Sequence, residues 1–295
     1  MNEPVPDFPR IGLLGFGTMG AGIAQVFAAS GRSVLVLETG SERLESGFAA
    51  VSAFLEEGIA RGKTTADEKS AVLGRIAGTT SVAELGCVDA VLEAVTEDPG
   101  TKQALLARVA AVVTEHTPIL SNTSALSVTE LAAALPNPER VAGLHFFNPA
   151  PLMRTVEVVR ALQTEQALID RLVALVGTLA GKNAAVVKDR PGFLVNALLM
   201  PYLNDVVQAY DEELATAADI DLAIELGLGH KIGPLRMLDM IGLDVHLHAT
   251  TAAYTATLDP AYAPPPLLRQ LVAAGRLGDK TGHGFHNRCH SREDD

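Results

Sequence analysis

The sequence predicts an α/β protein, in which a mainly parallel sheet covered by helices is followed by a smaller, all-helical domain. Short apolar runs alternate with helix-forming stretches as far as residue 188, which is typical of a parallel sheet with helices on both faces. After KDRPG at 188–192, apolar residues recur at spacings of three and four instead. The 295 residues also suffice for two cores. We therefore expect domains at 1–189 and 190–295.

The first domain begins with a βαβ unit at residues 10–37. RIGLL is predicted as the first strand, GFGTMG as a glycine turn, AGIAQVFAASG as a helix and SVLVL as the second strand. The polar stretch 41–75 predicts a helical excursion from the sheet. Further strands are predicted at 89–95, 118–121, 140–147, 155–159 and 183–188. The first helix of the second domain is predicted to begin near Phe193.

Charge and composition exclude several classes of function. The 23 basic and 35 acidic residues give a net charge of −12, which repels nucleic acid and anionic lipid. No uncharged apolar run approaches the ~18–20 residues of a membrane span, and MNEPVPDFPR lacks the features of a secretion signal. Cys87 and Cys289 lie outside any metal or redox spacing. We therefore expect free thiols, no metal site and a cytoplasmic protein.

The glycine turn predicts a dinucleotide site of the Rossmann type. Gly15, Gly17 and Gly20 form the pattern G-x-G-x-x-G between strand and helix, with Thr18 and Met19 inside it. We expect Gly15 to allow a tight turn, Gly17 to admit a pyrophosphate and Gly20 to let the helix pack closely on its strand. The N–H groups at the helix start then attract the anion. On this motif alone, a purely structural turn remains the alternative.

Glu38 decides between the two nicotinamide cofactors. It ends the second strand, 23 residues after Gly15, where an acidic residue is expected to hydrogen-bond the adenosine ribose. Its carboxylate would repel the additional phosphate of NADP. The predicted cofactor is therefore NAD.

Polar residues follow three strands at the edge where ligands of open parallel sheets bind. Glu97 and Lys102 follow strand 89–95, residues 121–124 follow the next strand, and His145 with Asn148 closes strand 140–147. A solvated loop and a first-turn helix pair explain Glu97 and Lys102 equally well.

The two serines after residue 121 have different predicted roles. Ser127 is better explained as a helix N-cap, because SVTE at 127–130 matches a capping box before an apolar helix. Ser124 lies outside that cap. Ser124 therefore remains a candidate residue of the active site.

His145 and Glu157 form a candidate acid/base pair. A dehydrogenase must move the proton of an alcohol, and an imidazole can take or give a proton near neutrality. Glu157 lies inside the apolar strand TVEVV, where an unpartnered carboxylate is costly. If the two strands are neighbours, Glu157 meets the imidazole and orients it. Without that partner and the glycine turn, a core position would be the better interpretation of His145.

Asn196 is a further candidate in the second domain. It is predicted to share one helix stripe with Phe193, Met200 and Leu203, where an apolar residue is expected. A buried amide needs a hydrogen-bond partner. A substrate oxygen or Ser124 could supply it.

Six motifs together resemble the L-3-hydroxyacyl-CoA dehydrogenase family. They are GFGTMGAGIA, SNTS, LHFFNP, VEVV, DRPGFLVN and GRLGDKTGHGF, in the family's order over residues 10–286. The resemblance implies an NAD-dependent oxidation of 3-hydroxyacyl-CoA, 3-hydroxybutyryl-CoA above all, and its reverse. It further implies a helical C-terminal domain that carries the contacts of a homodimer.

The resemblance also implies roles for individual residues. His145 becomes the acid/base and Glu157 its partner, with Ser124 and Asn196 holding the substrate oxygen and thioester. Four further positions match the family's cofactor or substrate contacts: Glu97, Lys102, Asn148 and Lys280.

Some positions depart from the family's usual pattern. Ala197 replaces a basic residue, Arg154 a lysine and His286 a tyrosine, which leaves the acyl-CoA contacts open. Arg61 and Lys63 in ARGK could meet the phosphates of CoA, although a solvated face explains them as well.

Two alternatives remain on the sequence alone. One keeps the fold but takes a hydroxy acid without CoA, such as L-gulonate or carnitine. The other is an NAD-binding structural or sensor protein without activity. The joint presence of His145, Glu157, Ser124 and Asn196 argues against the second alternative.

Overall fold

The computed structural model describes residues 8–287 and divides the chain into two units, Met1–Asp189 and Arg190–Asp295. The first unit contains one eight-stranded sheet in the order β3-β2-β1-β4-β5-β6-β7-β8. The strands are β1 Arg10–Leu14, β2 Ser33–Leu37, β3 Ile76–Thr79, β4 Ala90–Glu93, β5 Ile119–Ser121, β6 Val141–Phe146, β7 Thr155–Arg160 and β8 Asn183–Lys188.

The sheet is parallel except between β6 and β7, which pair antiparallel. Six helices belong to this unit: α1 Thr18–Ala29, α2 Ser41–Ala60, α3 Ala66–Leu73, α4 Pro99–Ala110, α5 Val128–Ala133 and α6 Gln166–Gly177. The largest apolar core joins the sheet to α1 and α6, with Phe27 of α1 edge-on to Phe146 of β6. The predicted mainly parallel α/β fold is confirmed.

The first part of the sheet differs from prediction at β3. Ile76–Thr79 is a strand on the outer side of β2, although no strand was predicted there. The signal is weak because the strand has four residues, of which only the first and last are buried, and contains Gly78. A Cβ at Gly78 would lie 2.8 Å from a methyl carbon of Leu44 in α2. The glycine therefore lets α2 pack closely on the strand.

The second unit is helical. Its helices are α7 Val195–Asp211, α8 Ala217–Leu228, α9 Pro234–Ile241, α10 Leu243–Thr257 and α11 Pro266–Ala273. The core includes Leu203 and Val207 of α7, Leu238 of α9 and Leu268 of α11. The predicted helix start was wrong by two residues: Phe193 has a φ of 51° and precedes α7, so it does not belong to the helix stripe with Asn196.

Neither a long apolar helix nor a metal-ligand cluster occurs in residues 8–287. No helix there is long and apolar enough to cross a membrane. Within the same range, no three His, Cys, Asp or Glu side chains form a group that could hold a metal ion. Cys87 is an exposed free thiol, and Cys289 lies outside the described residues.

Candidate active site

The glycine turn lies between β1 and α1, with Gly17 as the N-cap of the helix. Gly15 has a φ of +95°, a conformation that favours glycine, and a Cβ there would lie 2.9 Å from the carbonyl oxygen of Ala94. No atom lies within 4 Å of a Cβ built on Gly17. A Cβ on Gly20 would lie 2.1 Å from the carbonyl oxygen of Gly15. The Leu13 side chain of β1 is also within 4 Å of this Cβ, so Gly20 lets the start of α1 approach the end of β1 closely.

Glu38 follows β2 directly and reaches across to the glycine turn. One carboxylate oxygen, Oε1, accepts the N–H of Phe16 at 2.7 Å, and Oε2 accepts the N–H of Thr39 at 2.9 Å. The N–H of Glu38 itself donates to Thr79 in β3. The carboxylate is thus fixed beside the start of α1, where an acid that reads a ribose is expected.

His145 and Glu157 face each other on the antiparallel pair β6 and β7. They are direct register partners, and Nδ1 of His145 lies 2.7 Å from Oε2 of Glu157. The exposed fractions of the two residues are 5% and 0%. Opposite residues of an antiparallel pair lie close enough for side-chain contact. The two strands are therefore neighbours, as predicted, and the two side chains are in contact.

The imidazole of His145 lines a cavity of about 280 Å³, here called the His145 cavity. The cavity lies beyond the carboxyl ends of β4, β5 and β6, close to the point between β1 and β4 where the strand order reverses. Ligands of doubly wound sheets bind at such a point. Met19 of the glycine turn is also part of its wall. The other polar residues of the wall are Glu97, Lys102, Asn122, Ser124 and Asn148.

Lys102 and Glu97 do not form a solvated pair. The Lys102 residue is 1% exposed, and its Nζ lies 2.6 Å from Oε1 of Glu93, 3.1 Å from Oε2 of Glu97 and 3.2 Å from the carbonyl oxygen of Val95. Burial acts to raise the pKa of Glu97, but the Thr123 hydroxyl and the Lys102 charge outweigh it and leave the pKa lowered. Glu97 is therefore a carboxylate at neutral pH.

Glu93 escaped sequence analysis, whereas Ser121 and Asn122 belong to the polar cluster 121–124 that was predicted at this edge of the sheet. Glu93 is 0% exposed and accepts the hydroxyl of Ser121 at 2.7 Å, and Asn122 accepts the N–H of Phe146 at 2.8 Å. A signal for Glu93 existed, because it is a carboxylate inside the apolar strand DAVLEAV, as Glu157 is inside TVEVV.

The predicted N-cap of Ser127 is confirmed, since its hydroxyl accepts the N–H of Glu130 at 3.2 Å.

A second cavity of about 360 Å³ lies between α1, α2 and the loop after β6, here called the α1–α2 cavity. Its wall is mainly apolar, with Phe54 and Val51 from α2 and Pro149 to Pro151 from the loop. Thr18 and Asn148 line it as well, and Asn148 is common to both cavities. The first unit thus contains a mainly apolar cavity next to one with a more polar wall.

The remaining predicted residues lie elsewhere in the fold. Arg61 caps α2 and is paired with Glu57, and Lys63 is exposed in the turn before α3. Asn196 lies half-buried in the first turn of α7, within the second unit. Lys280 lies in the same unit and is paired with Asp244, whose pKa it lowers.

Comparisons with known proteins agree with this architecture. A model of the NAD-binding domain of 3-hydroxyacyl-CoA dehydrogenases matches residues 10–190, and a model of the C-terminal domain of the same family matches residues 192–288. A 3-hydroxybutyryl-CoA dehydrogenase of Mycobacterium tuberculosis is 40% identical over 94% of this chain and 97% of its own length.

Two further relatives extend the comparison. A 3-hydroxyadipyl-CoA dehydrogenase of Escherichia coli is 40% identical, and the match covers 96% of this chain but 60% of that protein. A crystal structure of (S)-3-hydroxybutyryl-CoA dehydrogenase from Ralstonia eutropha superposes with a TM-score of 0.92 at 41% identity, over 96% of this chain and 99% of that one. The matches extend through both units.

Proposed function

Because the chain belongs to the 3-hydroxyacyl-CoA dehydrogenase family, we propose that it interconverts L-3-hydroxyacyl-CoA and 3-ketoacyl-CoA with NAD, and that 3-hydroxybutyryl-CoA is its substrate. The observation that carries the proposal is the contact of 2.7 Å between His145 and Glu157 at the wall of a cavity that Met19 of the glycine turn also lines. An acid/base pair next to a dinucleotide turn is what the oxidation of an alcohol requires.

The residues around the glycine turn fit NAD. Open space beside Gly17 leaves room for a pyrophosphate at the N-terminus of α1, where Thr18 and Met19 begin the helix. The Glu38 carboxylate is placed to accept ribose hydroxyls and to disfavour the phosphate of NADP. When bound, NAD would supply the acceptor for the hydride that leaves C3 of the hydroxyacyl group. Glu97 and Asn148, on the wall of the His145 cavity, are the proposed contacts of the nicotinamide end of NAD.

His145 would take the proton of the 3-hydroxyl group during oxidation and return it during reduction. The buried Glu157 carboxylate holds the ring through Nδ1, so that it favours one orientation and stabilises the imidazolium that forms. Ser124, on the same cavity wall, would donate to the substrate oxygen as negative charge develops there. The assignment of Asn196 to the substrate and of Lys280 to the cofactor rests on the family resemblance.

The CoA part of the substrate would use the region of α2. The α1–α2 cavity offers an apolar wall to a flexible chain, and Arg61 and Lys63 at the end of α2 offer positive charge to phosphates. Both side chains are exposed, so binding would not require them to leave a buried position.

A second copy of the chain is the proposed partner of the helical unit. Leu222, Leu226 and Leu228 on α8 are 53%, 78% and 66% exposed, and Leu258 after α10 is 76% exposed. Large exposed apolar patches are typical of interfaces. We propose a homodimer through this unit, in a reducing, cytoplasmic setting that suits the exposed Cys87 thiol.

The test is a series of 3-ketoacyl-CoA substrates of increasing chain length, assayed with NADH and with NADPH. We expect turnover of acetoacetyl-CoA with a strong preference for NADH. Free hydroxy acids such as L-gulonate and carnitine, assayed in the oxidative direction, serve as the control for the alternative substrate class. Turnover of a free acid without turnover of any thioester would overturn the proposal, and equal rates with NADPH would overturn the role of Glu38.

A further inference from the structure

An ion-pair network with a buried centre forms part of the wall of the His145 cavity. We call it the Glu93 network; it comprises Glu93, Glu97, Lys102, Ser121 and Thr123. Glu93 and Lys102 are 0% and 1% exposed, and their charged groups lie 2.6 Å apart. Burying such a pair often stabilises a fold no better than apolar residues would, because both charges lose their hydration. Its geometry is therefore of more interest than its contribution to stability.

Lys102 lies at the centre of the network. Its ammonium group has three protons and three acceptors, which are one oxygen each of Glu93, Glu97 and Val95. Oε1 of Glu93, the oxygen next to Lys102, also accepts the N–H of Val95 at 2.6 Å, and Oε2 accepts the hydroxyl of Ser121 at 2.7 Å. The position of the ammonium group is thus set by the ends of β4 and β5.

Glu97 links Lys102 to the loop after β5. Its Oε2 faces Lys102, while its Oε1 accepts the Thr123 hydroxyl at 2.5 Å and the N–H groups of Ser124 and Ala125 at 2.9 and 3.1 Å. Three donors from consecutive residues therefore meet on one carboxylate oxygen. The backbone of Ser124, which lines the His145 cavity, is held by this oxygen.

We propose that Glu93 and Lys102 are positioning residues, which fix Glu97 and through it the turn that presents Ser124 to the substrate oxygen. This inference rests on the proposed function of Ser124. Lys102 also lines the His145 cavity, but its three donors are directed to Glu93, Val95 and Glu97. A misplacement of about 1 Å at a reacting centre is enough to lower turnover greatly.

The test uses the double variant Glu93→Gln/Lys102→Met, because Lys102→Met alone would leave the Glu93 carboxylate buried without its partner. We expect the denaturant midpoint of the double variant to recover relative to the Lys102→Met protein. The kcat of the double variant for acetoacetyl-CoA reduction should stay about tenfold below that of the wild type.

Coupling to Ser124 distinguishes positioning from a merely structural role. We expect the factor by which Ser124→Ala lowers kcat to shrink by about tenfold in the double variant, as for residues of one hydrogen-bond network. The matched control is Arg10→Met/Asp89→Asn, which removes an ion pair from the opposite ends of β1 and β4. In that background the factor for Ser124→Ala should be unchanged.

Two outcomes would overturn the inference: a kcat that recovers together with stability, or additive effects of Ser124→Ala and the double variant. Failure of the proposed function is a separate result. It would appear as absence of thioester turnover by the wild type, or as a Ser124→Ala protein with unchanged kcat in the wild-type background.

Discussion

Each of the two units contains a histidine paired with a carboxylate, and the two pairs differ in their surroundings. In the first unit, Nδ1 of His145 lies 2.7 Å from Glu157. In the second unit, Nδ1 of His286 lies 3.0 Å from Asp239, and its Nε2 lies 3.3 Å from Asp221. The distances alone are similar. They do not distinguish a reactive pair from a structural one.

The surroundings of the two acids make that distinction. Asp239 also accepts the N–H groups of Phe285 and His286, both at 2.8 Å, so that it holds the loop after α11 against α9. Burial raises the pKa of Asp221, although this carboxylate accepts two backbone N–H groups at the start of α9. His145, by contrast, lines a cavity beside the dinucleotide turn. Under the proposed function, the pair next to a cavity is the reactive one and the pair that holds a loop is structural.

The largest expected effect is on turnover by the His145→Gln variant. Removal of the acid/base should lower kcat by a factor of about 100 to 10,000, because general acid–base catalysis contributes that much. The dissociation constant for NADH should change little. The measurement is steady-state kinetics with acetoacetyl-CoA together with NADH fluorescence.

His286→Gln is the matched control for this variant. It removes an imidazole from the second pair and should lower the thermal midpoint while kcat per folded molecule stays near that of the wild type. If both substitutions lowered kcat equally, the contrast between the two pairs would be lost. If His145→Gln lowered only stability, His145 would be a core residue.

Sequence patterns predicted the fold where each element has a strong local signal. The strands β1, β2 and β8 have the predicted limits, because each is an apolar run bounded on at least one side by a polar residue: Arg10 in β1, Ser33 in β2, and Asn183 and Lys188 in β8. β3 was missed because pairing with β2 and cover from α2, not its own composition, make it a strand. The spacing of apolar residues predicted that Phe193 belongs to α7. Its φ of 51° is not helical, and α7 begins two residues later.

The site was predictable where a polar residue contradicts its local pattern. Glu157 in an apolar strand required a partner, and the register of β6 and β7 supplies His145. The same reasoning would have found Glu93. Asn122 and Thr123 were predicted only as members of the polar cluster 121–124. Their individual contacts could not be predicted, because a small polar residue in a loop shows no partner until the fold brings it to a carboxylate or to a backbone N–H.

The next effect is on stability and concerns a third histidine, His246 of α10. It is 4% exposed, its Nε2 lies 3.0 Å from Oδ1 of Asn204, and burial lowers its pKa from 6.5 to about 4. The unfolded chain then binds the proton at higher pH than the folded one. Stability is therefore lost as the pH falls from 6.5 towards about 4, and the loss at about pH 5 amounts to about 2 kcal/mol.

Replacement of this histidine by a group that does not titrate isolates its contribution. His246→Gln keeps an amide donor for Asn204, so the free energy of unfolding should fall about 2 kcal/mol less between about pH 8 and about pH 5 than in the wild type. Urea unfolding at the two pH values measures the difference. Equal losses in both proteins would mean that His246 is protonated in the fold at no cost.

The smallest effect separates two serines that lie three residues apart. Ser127 caps α5 and donates its hydroxyl to Asp189 at 2.8 Å, so Ser127→Ala should lower the free energy of unfolding by about 1 kcal/mol and leave kcat unchanged. Ser124 is exposed on the cavity wall, so Ser124→Ala should lower kcat with little effect on unfolding. Urea unfolding and steady-state kinetics on both variants give a two-by-two comparison. A Ser127→Ala protein with lowered kcat would mean that α5 and the turn before it move as one body, and the division between structural and reactive groups would then not hold even within the first unit.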